Sequence, residues 1–235
     1  MNILALDTAS EVLSAALSSE DRIWRIELDG GLRHSELLME CIGELMKIAA
    51  LAPEELNLIL TMKGPGSFTG LRIAYAAARG LSLALGIPFR ALPTLDCMAH
   101  SLSFWPGLVV PSMDAKKGRF FTALYREGEA LSPPMDEGPE EIAALAAAQG
   151  PQPSPPLLTG PGAPLLLSCF SRLPLPRPPV LDPNFRRGRA GELIAIAKRL
   201  KLQNNDKYGK GEDVGEDVFS GPLYLRKSDA EINKI

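Results

Sequence analysis

Asp7 is the first residue of this sequence placed to do chemistry. It ends an apolar run, Ile3 to Leu6, and leads into Thr8, Ala9 and Ser10. Carboxylates at strand ends in α/β lobes face the crevice where such folds take ligands. The same four residues equally make a plain Asx turn between two strands. Asp114 closes another apolar run, 107–114, and mirrors it. Further on, GPGSFTG (64–70) stands between an apolar run and a helical segment. Its three glycines either aim backbone N–H groups at an anion, with the helix dipole behind them, or form a tight turn that lets strand and helix pack closely. No phosphate fingerprint fits. GxxxxGK[ST] fails at Thr69, and GxGxxG fails by one residue because the third glycine is Gly70.

Other chemistry is missing. His34 and His100 are the only two histidines, and HxxxH, HExxH and GxSxG are all absent. That excludes a preformed metal site with histidine ligands close in sequence, and it nominates no serine nucleophile. His34, just before a helix, reads as a solvated structural residue, and His100 as a helix-surface or packed one. Cys41, Cys97 and Cys169 show no CxxC spacing and read as reduced thiols. Arg186, Arg187, Arg189, Lys198, Arg199 and Lys201 read either as a patch that meets nucleic acid or phosphate or, as such charge runs more often are, as a solvated face, offset by the acidic stretch 212–217.

The 235 residues are 46% hydrophobic and 23% charged, with a net charge of −3. This is ordinary globular composition with enough chain for one two-lobed domain or two small ones. Near-neutrality argues against a protein that holds nucleic acid alone by neutralising phosphates. No apolar run is long enough to span a bilayer, and MNILALDTAS lacks a basic region, so no signal peptide is expected. A cytoplasmic protein is the expectation.

The elements that must position these residues begin with three strands, 2–7, 12–18 and 22–28. A helix follows from Ser35, a plausible N-cap, to about Leu51. The run LNLILTM (56–62) reads as a sheet-centre strand. A helix over 68–85, a short strand at 89–92 and a helix at 94–104 complete a βββαβαβα lobe over 1–104. The second lobe, 105–202, has a strand pair (107–114 and 119–126), a helix at 139–149, a short strand at 157–160 and a helix at 188–201. Eleven of the 21 prolines lie between Pro151 and Pro183, so that part reads as loop-heavy. Residues 203–235 read as an acidic mobile loop and a tail, with PLYLR (222–226) docking back. The helix over 68–85 is apolar nearly all round, which requires cover on nearly all sides. Either the 35–51 helix supplies it, or both helices offer an apolar surface to another subunit.

ILALDTAS, RHSELL (33–38), GPGSFTGLRIA (64–74) with AARGLSLALGIP after it, and the terminal PLYLR together resemble the TsaB family. These are accessory subunits of the bacterial machinery that makes N6-threonylcarbamoyladenosine next to the tRNA anticodon. The resemblance covers most of residues 1–100 and the extreme C-terminus. It implies an α/β, two-lobed actin/Hsp70/sugar-kinase-like fold with mixed sheets. It also implies that Asp7, Thr8 and Ser10 belong to a phosphate-facing hairpin, and that Gly160 and Gly162 resemble a second-lobe Gly-x-Gly near a nucleotide cleft. Pro161 stands where a polar residue is common, and Ala74 where glycine is usual. The sibling TsaD carries an HxxxH metal pair shortly after an Ile-Pro like Ile87-Pro88, and the matching positions are Thr94 and Met98. Neither is a useful hard-metal ligand.

The resemblance therefore implies a scaffold, not an enzyme on its own. Its expected partners are a TsaD-like catalytic paralogue and a TsaE-like P-loop ATPase. A homodimer competes with that pairing, tRNA is met indirectly, and no membrane is involved. The expected interface core is Leu38, Ile42, Leu45, Ala74 and Ala78, with a rim of Glu36, Glu40 and Arg79. The alternative is an ATPase or kinase in which Asp7 and Asp114 hold ATP or ADP with Mg²⁺ at the lobe cleft, or nucleotide bound at the complex interface. A protease is the remaining reading, and no nucleophile or metal site supports it.

Overall fold

The structure, a computed structural model, describes residues 1–31, 33–173, 177–200, 221–222 and 225. In chain order the elements are β1 (Ile3–Asp7), β2 (Leu13–Ser19), β3 (Arg22–Leu28), α1 (His34–Ala49), β4 (Leu58–Gly64), α2 (Phe68–Leu85), β5 (Phe89–Pro93) and α3 (Thr94–His100). They continue with β6 (Val109–Lys116), β7 (Arg119–Thr122), β8 (Tyr125–Arg126), β9 (Glu129–Ala130), β10 (Met135–Glu137), α4 (Pro139–Ala148), β11 (Leu157–Thr159), α5 (Ala163–Phe170), β12 (Val180–Leu181) and α6 (Ala190–Arg199). Two compact units result. One is Met1–Cys97 joined by the segment that returns at Arg187, and the other is built on Met98–Arg186.

The first unit is a sheet of order β3-β2-β1-β4-β5, antiparallel through the meander and parallel from β1 to β4 and β5. Side chains alternate across a strand, and β1 is buried throughout. Leu4 and Leu6 pack with α1 and α2 on one face, whereas Ile3 and Ala5 pack with α6 on the other. Cover on both faces is why β4 reads as one continuous apolar run. The second unit repeats this topology. Its path is β10-β7-β6-β11-β12, antiparallel through the first three strands and parallel through β6, β11 and β12. Two mixed sheets of the same order are what the actin-like fold requires, although no sequence repeat announces it.

Several expectations need correction. The first unit ends inside α3, at Cys97, not at residue 104. The helix expected at 188–201 in the second lobe belongs to the first. Leu193, Ile194, Ile196 and Ala197 pack on Ile3, Ala5, Leu58 and Leu60, and each large apolar side chain buried there contributes about 1.5–3 kcal/mol. Helix α1 starts at His34, with Arg33 in the N-cap position and no capping side chain, so Ser35 is not its cap. The proline-rich stretch holds α5, with Pro164 in its first turn, where a missing N–H removes no intrahelical bond. Residues 203–220 lie outside the described residues, as does the proposed docking of 222–226 apart from Pro222 and Leu225.

The expected interface core is also placed differently. Leu38, Ile42, Leu45, Ala74 and Ala78 are all buried in the first unit's own core. α1 and α2 turn these residues onto the sheet face formed by Leu4, Leu6, Leu13, Leu17 and Ile59. The apolar stripe of an amphipathic helix is spent on its own sheet first. What α1 and α2 leave outside is different: Met39, Ile48 and Leu83 are 52%, 61% and 66% exposed, and Gly43, Ala76 and Gly80 are exposed beside them.

Candidate functional site

Asp7 ends β1 as the sequence predicts, and the fold then encloses it. Its side chain is 3% exposed. One carboxylate oxygen accepts the main-chain N–H of Ala9 at 3.0 Å, and the other accepts that of Arg189 at 2.8 Å. Burial raises the carboxyl above its ordinary value. The two N–H groups and the positive charge of Arg189 partly offset this, and Glu192 adds to the rise. Arg189 is itself buried at the entry to α6, and Arg187 ion-pairs with Glu192 one turn on. Asp7 is thus the junction between the first strand and the last described helix.

The loop beyond Asp7 is sealed by GPGSFTG. Thr8 is fully buried and its hydroxyl donates to the Gly70 carbonyl at 2.7 Å, while the Ser67 N–H donates to the Ala9 carbonyl at 2.7 Å. A Cβ on Gly70 would stand 1.9 Å from the Thr8 carbonyl oxygen, and one on Gly66 would stand 2.8 Å from that of Ala9. Only glycine permits this approach. Of the two readings of GPGSFTG, the geometry is that of close packing. The Ser67 hydroxyl caps α2 by accepting the Gly70 N–H. The Ser10 hydroxyl stays within its own turn, near Val12, and the Ser10 carbonyl is held by His34 Nε2 at 2.8 Å. His34 is therefore a buried pin between α1 and this loop, 4% exposed, rather than a solvated residue. The aromatic-type ring at a helix start gave no sign of that bond in the sequence.

In the second unit, Gly160 and Gly162 follow β11 and pack against β6. A Cβ on Gly160 would lie 2.5 Å from the Ser112 carbonyl oxygen, and one on Gly162 would lie 2.8 Å from the Met113 backbone. The Gly162 N–H donates to the Ser112 carbonyl at 2.9 Å, so it faces strand and not a ligand. Asp114 is engaged locally. It accepts the Lys116 N–H at 2.7 Å and the Lys116 ammonium at 2.9 Å, two residues on at the end of the same strand, β6.

Other candidates separate from any site. Glu36, Glu40 and Arg79 are exposed on α1 and α2, with Glu36 paired to Arg33. His100 ends α3, half-buried. Burial pushes the Cys97 thiol well up, with the nearby carboxylates adding to it, and raises that of Cys41. The basic face does not form as a unit. Arg189 is buried, Arg187 is paired with Glu192, Lys198 donates to the Glu20 carbonyl, and Lys201 lies outside the described residues. Among the described residues no three His, Cys, Asp or Glu side chains converge.

Comparisons with known proteins agree with this architecture. A family model described as TsaD, tRNA N6-adenosine threonylcarbamoyltransferase, matches residues 30–156. The tRNA threonylcarbamoyladenosine biosynthesis protein TsaB of Bacillus subtilis is 35% identical over 127 residues, which cover 54% of this chain and 56% of that protein. Its Escherichia coli counterpart is 31% identical over 132 residues, 55% and 57% of the two chains. The chain spans about half the length of the curated relatives it matches. The solved structure of YeaZ from Pseudomonas aeruginosa superposes with a TM-score of 0.76 at 26% identity, covering 95% of this chain and 99% of that one. With the family model matching more than half of its length and TsaB proteins its named relatives, the chain belongs to the TsaD family, on its TsaB branch.

Proposed function

We propose that this chain is an accessory subunit, not a catalyst on its own, that pairs with a TsaD-like catalytic paralogue to form N6-threonylcarbamoyladenosine next to the tRNA anticodon. The observation that carries this reading is the state of Asp7. The carboxylate that would face a phosphate in the actin-like fold has both oxygens committed to main-chain N–H groups. We read the Asp7 loop, Gly160 and Gly162 as not fitting Mg²⁺ with ATP or ADP. Nucleotide used by the assembly is placed at the complex interface instead. The positions that match the sibling's metal pair, Thr94 and Met98, carry a hydroxyl and a thioether and are buried. The relatives named for tRNA threonylcarbamoyladenosine biosynthesis support the pathway.

The partner surface is the outward face of α1 and α2, centred on Met39 and Leu83. Gly43, Ala76 and Gly80 leave little between the helix backbones and whatever packs there, so two helices of a paralogue can approach closely. The same face on a second copy gives a competing homodimer. A TsaE-like P-loop ATPase joins the pair, tRNA is met through the catalytic partner, and the work is done in the cytoplasm. Co-expression with the host's catalytic paralogue tests the pairing. A complex that survives size exclusion is expected, and its absence with both chains soluble overturns the reading.

A further inference from the structure

A cavity of about 410 Å³ lies within the second unit, between α4 and the proline-rich loop that follows it. Leu108, Ala143, Ala147, Pro156 and Phe170 give it apolar walls, and Arg177 stands at its edge. The alanines of α4 explain why it exists. Small side chains on the inner side of the helix leave room beside Leu108 that a leucine or isoleucine would occupy. The volume falls at the lower end of the range for small-molecule sites.

The charge at its edge is fixed in place and not neutralised. Arg177 Nη1 donates to the carbonyls of Gln152 at 2.8 Å and Pro153 at 3.1 Å. Those bonds hold the guanidinium but leave its charge and its remaining donors unspent, and it pairs with no carboxylate among the described residues. Gln152, which also lines the cavity, is held by its amide on the carbonyls of Gln149 and Gly150. The α4 carboxylates Glu140 and Glu141 sit in its first turn, at the opposite end from Ala147 and Gly150. An apolar slot with one positioned cation at its edge suits a ligand with an apolar body and one anionic end. The walls are mostly aliphatic, with Phe170 the one aromatic ring among its lining residues.

We propose that this cavity is a binding site for a small alkyl carboxylate, its chain against Leu108 and Ala143 and its carboxylate on Arg177. The site lies wholly within the second unit and does not depend on the function proposed above. Isothermal titration of octanoate, with octanol as the uncharged control, tests it on the full chain. Octanoate is expected to bind about tenfold tighter than octanol, and Arg177→Gln to remove that difference. Ala147→Trp, which fills the cavity from an exposed position, is expected to abolish binding of both. Ala144→Trp, exposed on the same helix but not lining the cavity, is expected to leave binding unchanged. Absence of octanoate binding to the wild type overturns the proposal, as does equal binding by Ala147→Trp or equal affinity for octanoate and octanol. Circular dichroism identical across the variants separates loss of the site from loss of the fold.

Discussion

The Asp7 carboxylate accepts the main-chain N–H of Arg189 at 2.8 Å, across 182 positions of sequence. With the Ala9 N–H on its other oxygen, it closes the first unit by tying the first strand to the returning helix. The bond is structural, and its removal is felt as stability. Asp7→Ala leaves two buried donors without an acceptor, at about 1–3 kcal/mol each. A loss of about 2–4 kcal/mol is expected, read from the urea midpoint. Asp7→Asn keeps one acceptor and loses less. Because burial raises the folded carboxyl above its unfolded value, the folded state keeps the proton to higher pH. The titrating part of its contribution is full below the ordinary carboxylate value and is lost as pH rises through the raised one. The gap in stability between wild type and Asp7→Asn therefore widens toward acid.

Two glycines separate packing from pairing. Gly70→Ala puts a Cβ 1.9 Å from the Thr8 carbonyl oxygen, and overpacking of that kind costs about 1–3 kcal/mol or more. Gly80 meets nothing within 4 Å on the exposed side of α2. Gly80→Ala is expected to stabilise the isolated chain by about 0.5–1 kcal/mol, and to weaken capture of the paralogue by filling the space its helix needs. Thermal unfolding and co-purification of the same variant check both halves.

Arginine placed on the two sides of α2 gives opposite outcomes. Ala78 is fully buried against the sheet, so Ala78→Arg buries an unpaired charge and unfolds the first unit. Leu83 is 66% exposed, so Leu83→Arg keeps native circular dichroism. It is expected to lose about 2 kcal/mol or more of partner affinity, measured by titration of the paralogue.

The first lobe was largely legible because its strands and helices carry clear periods, and the predicted 68–85 helix spans those residues, with Gly86 as its C-cap. What failed was the side on which α1 and α2 present their stripe. Leu38, Ala74 and Ala78 form the natural apolar face, and sequence alone does not say whether a sheet or a subunit covers it. The sheet does. Helix α6 was placed in the wrong lobe because its partners, Ile3 and Leu58, are more than 130 positions away, and no local pattern encodes that distance. Helix α5 escaped notice because prolines mask its apolar residues Leu166 and Phe170. Asp7 was found, and its Asx turn onto the Ala9 N–H was one of its two readings; the bond to Arg189 was not legible, since that donor is a main-chain group that any residue type provides.

Thiol reactivity reports on the packing. The Cys97 thiol is buried and pushed well up, that of Cys41 is raised too, and Cys169 is half-buried. A raised value means less thiolate, which is the reactive form. At mildly alkaline pH the native chain is expected to react quickly with an aromatic disulfide reagent at Cys169. Cys41 and Cys97 should react only after denaturation in guanidinium.

The amount of N6-threonylcarbamoyladenosine in bulk tRNA, read by nucleoside mass spectrometry in host cells depleted of this chain, tests the central claim most directly. Depletion should abolish the nucleoside, and a wild-type copy should restore it. Leu83→Arg, folded but unable to pair, should not. An unchanged nucleoside level after depletion contradicts the accessory role, and full restoration by Leu83→Arg contradicts pairing through the outward face of α2.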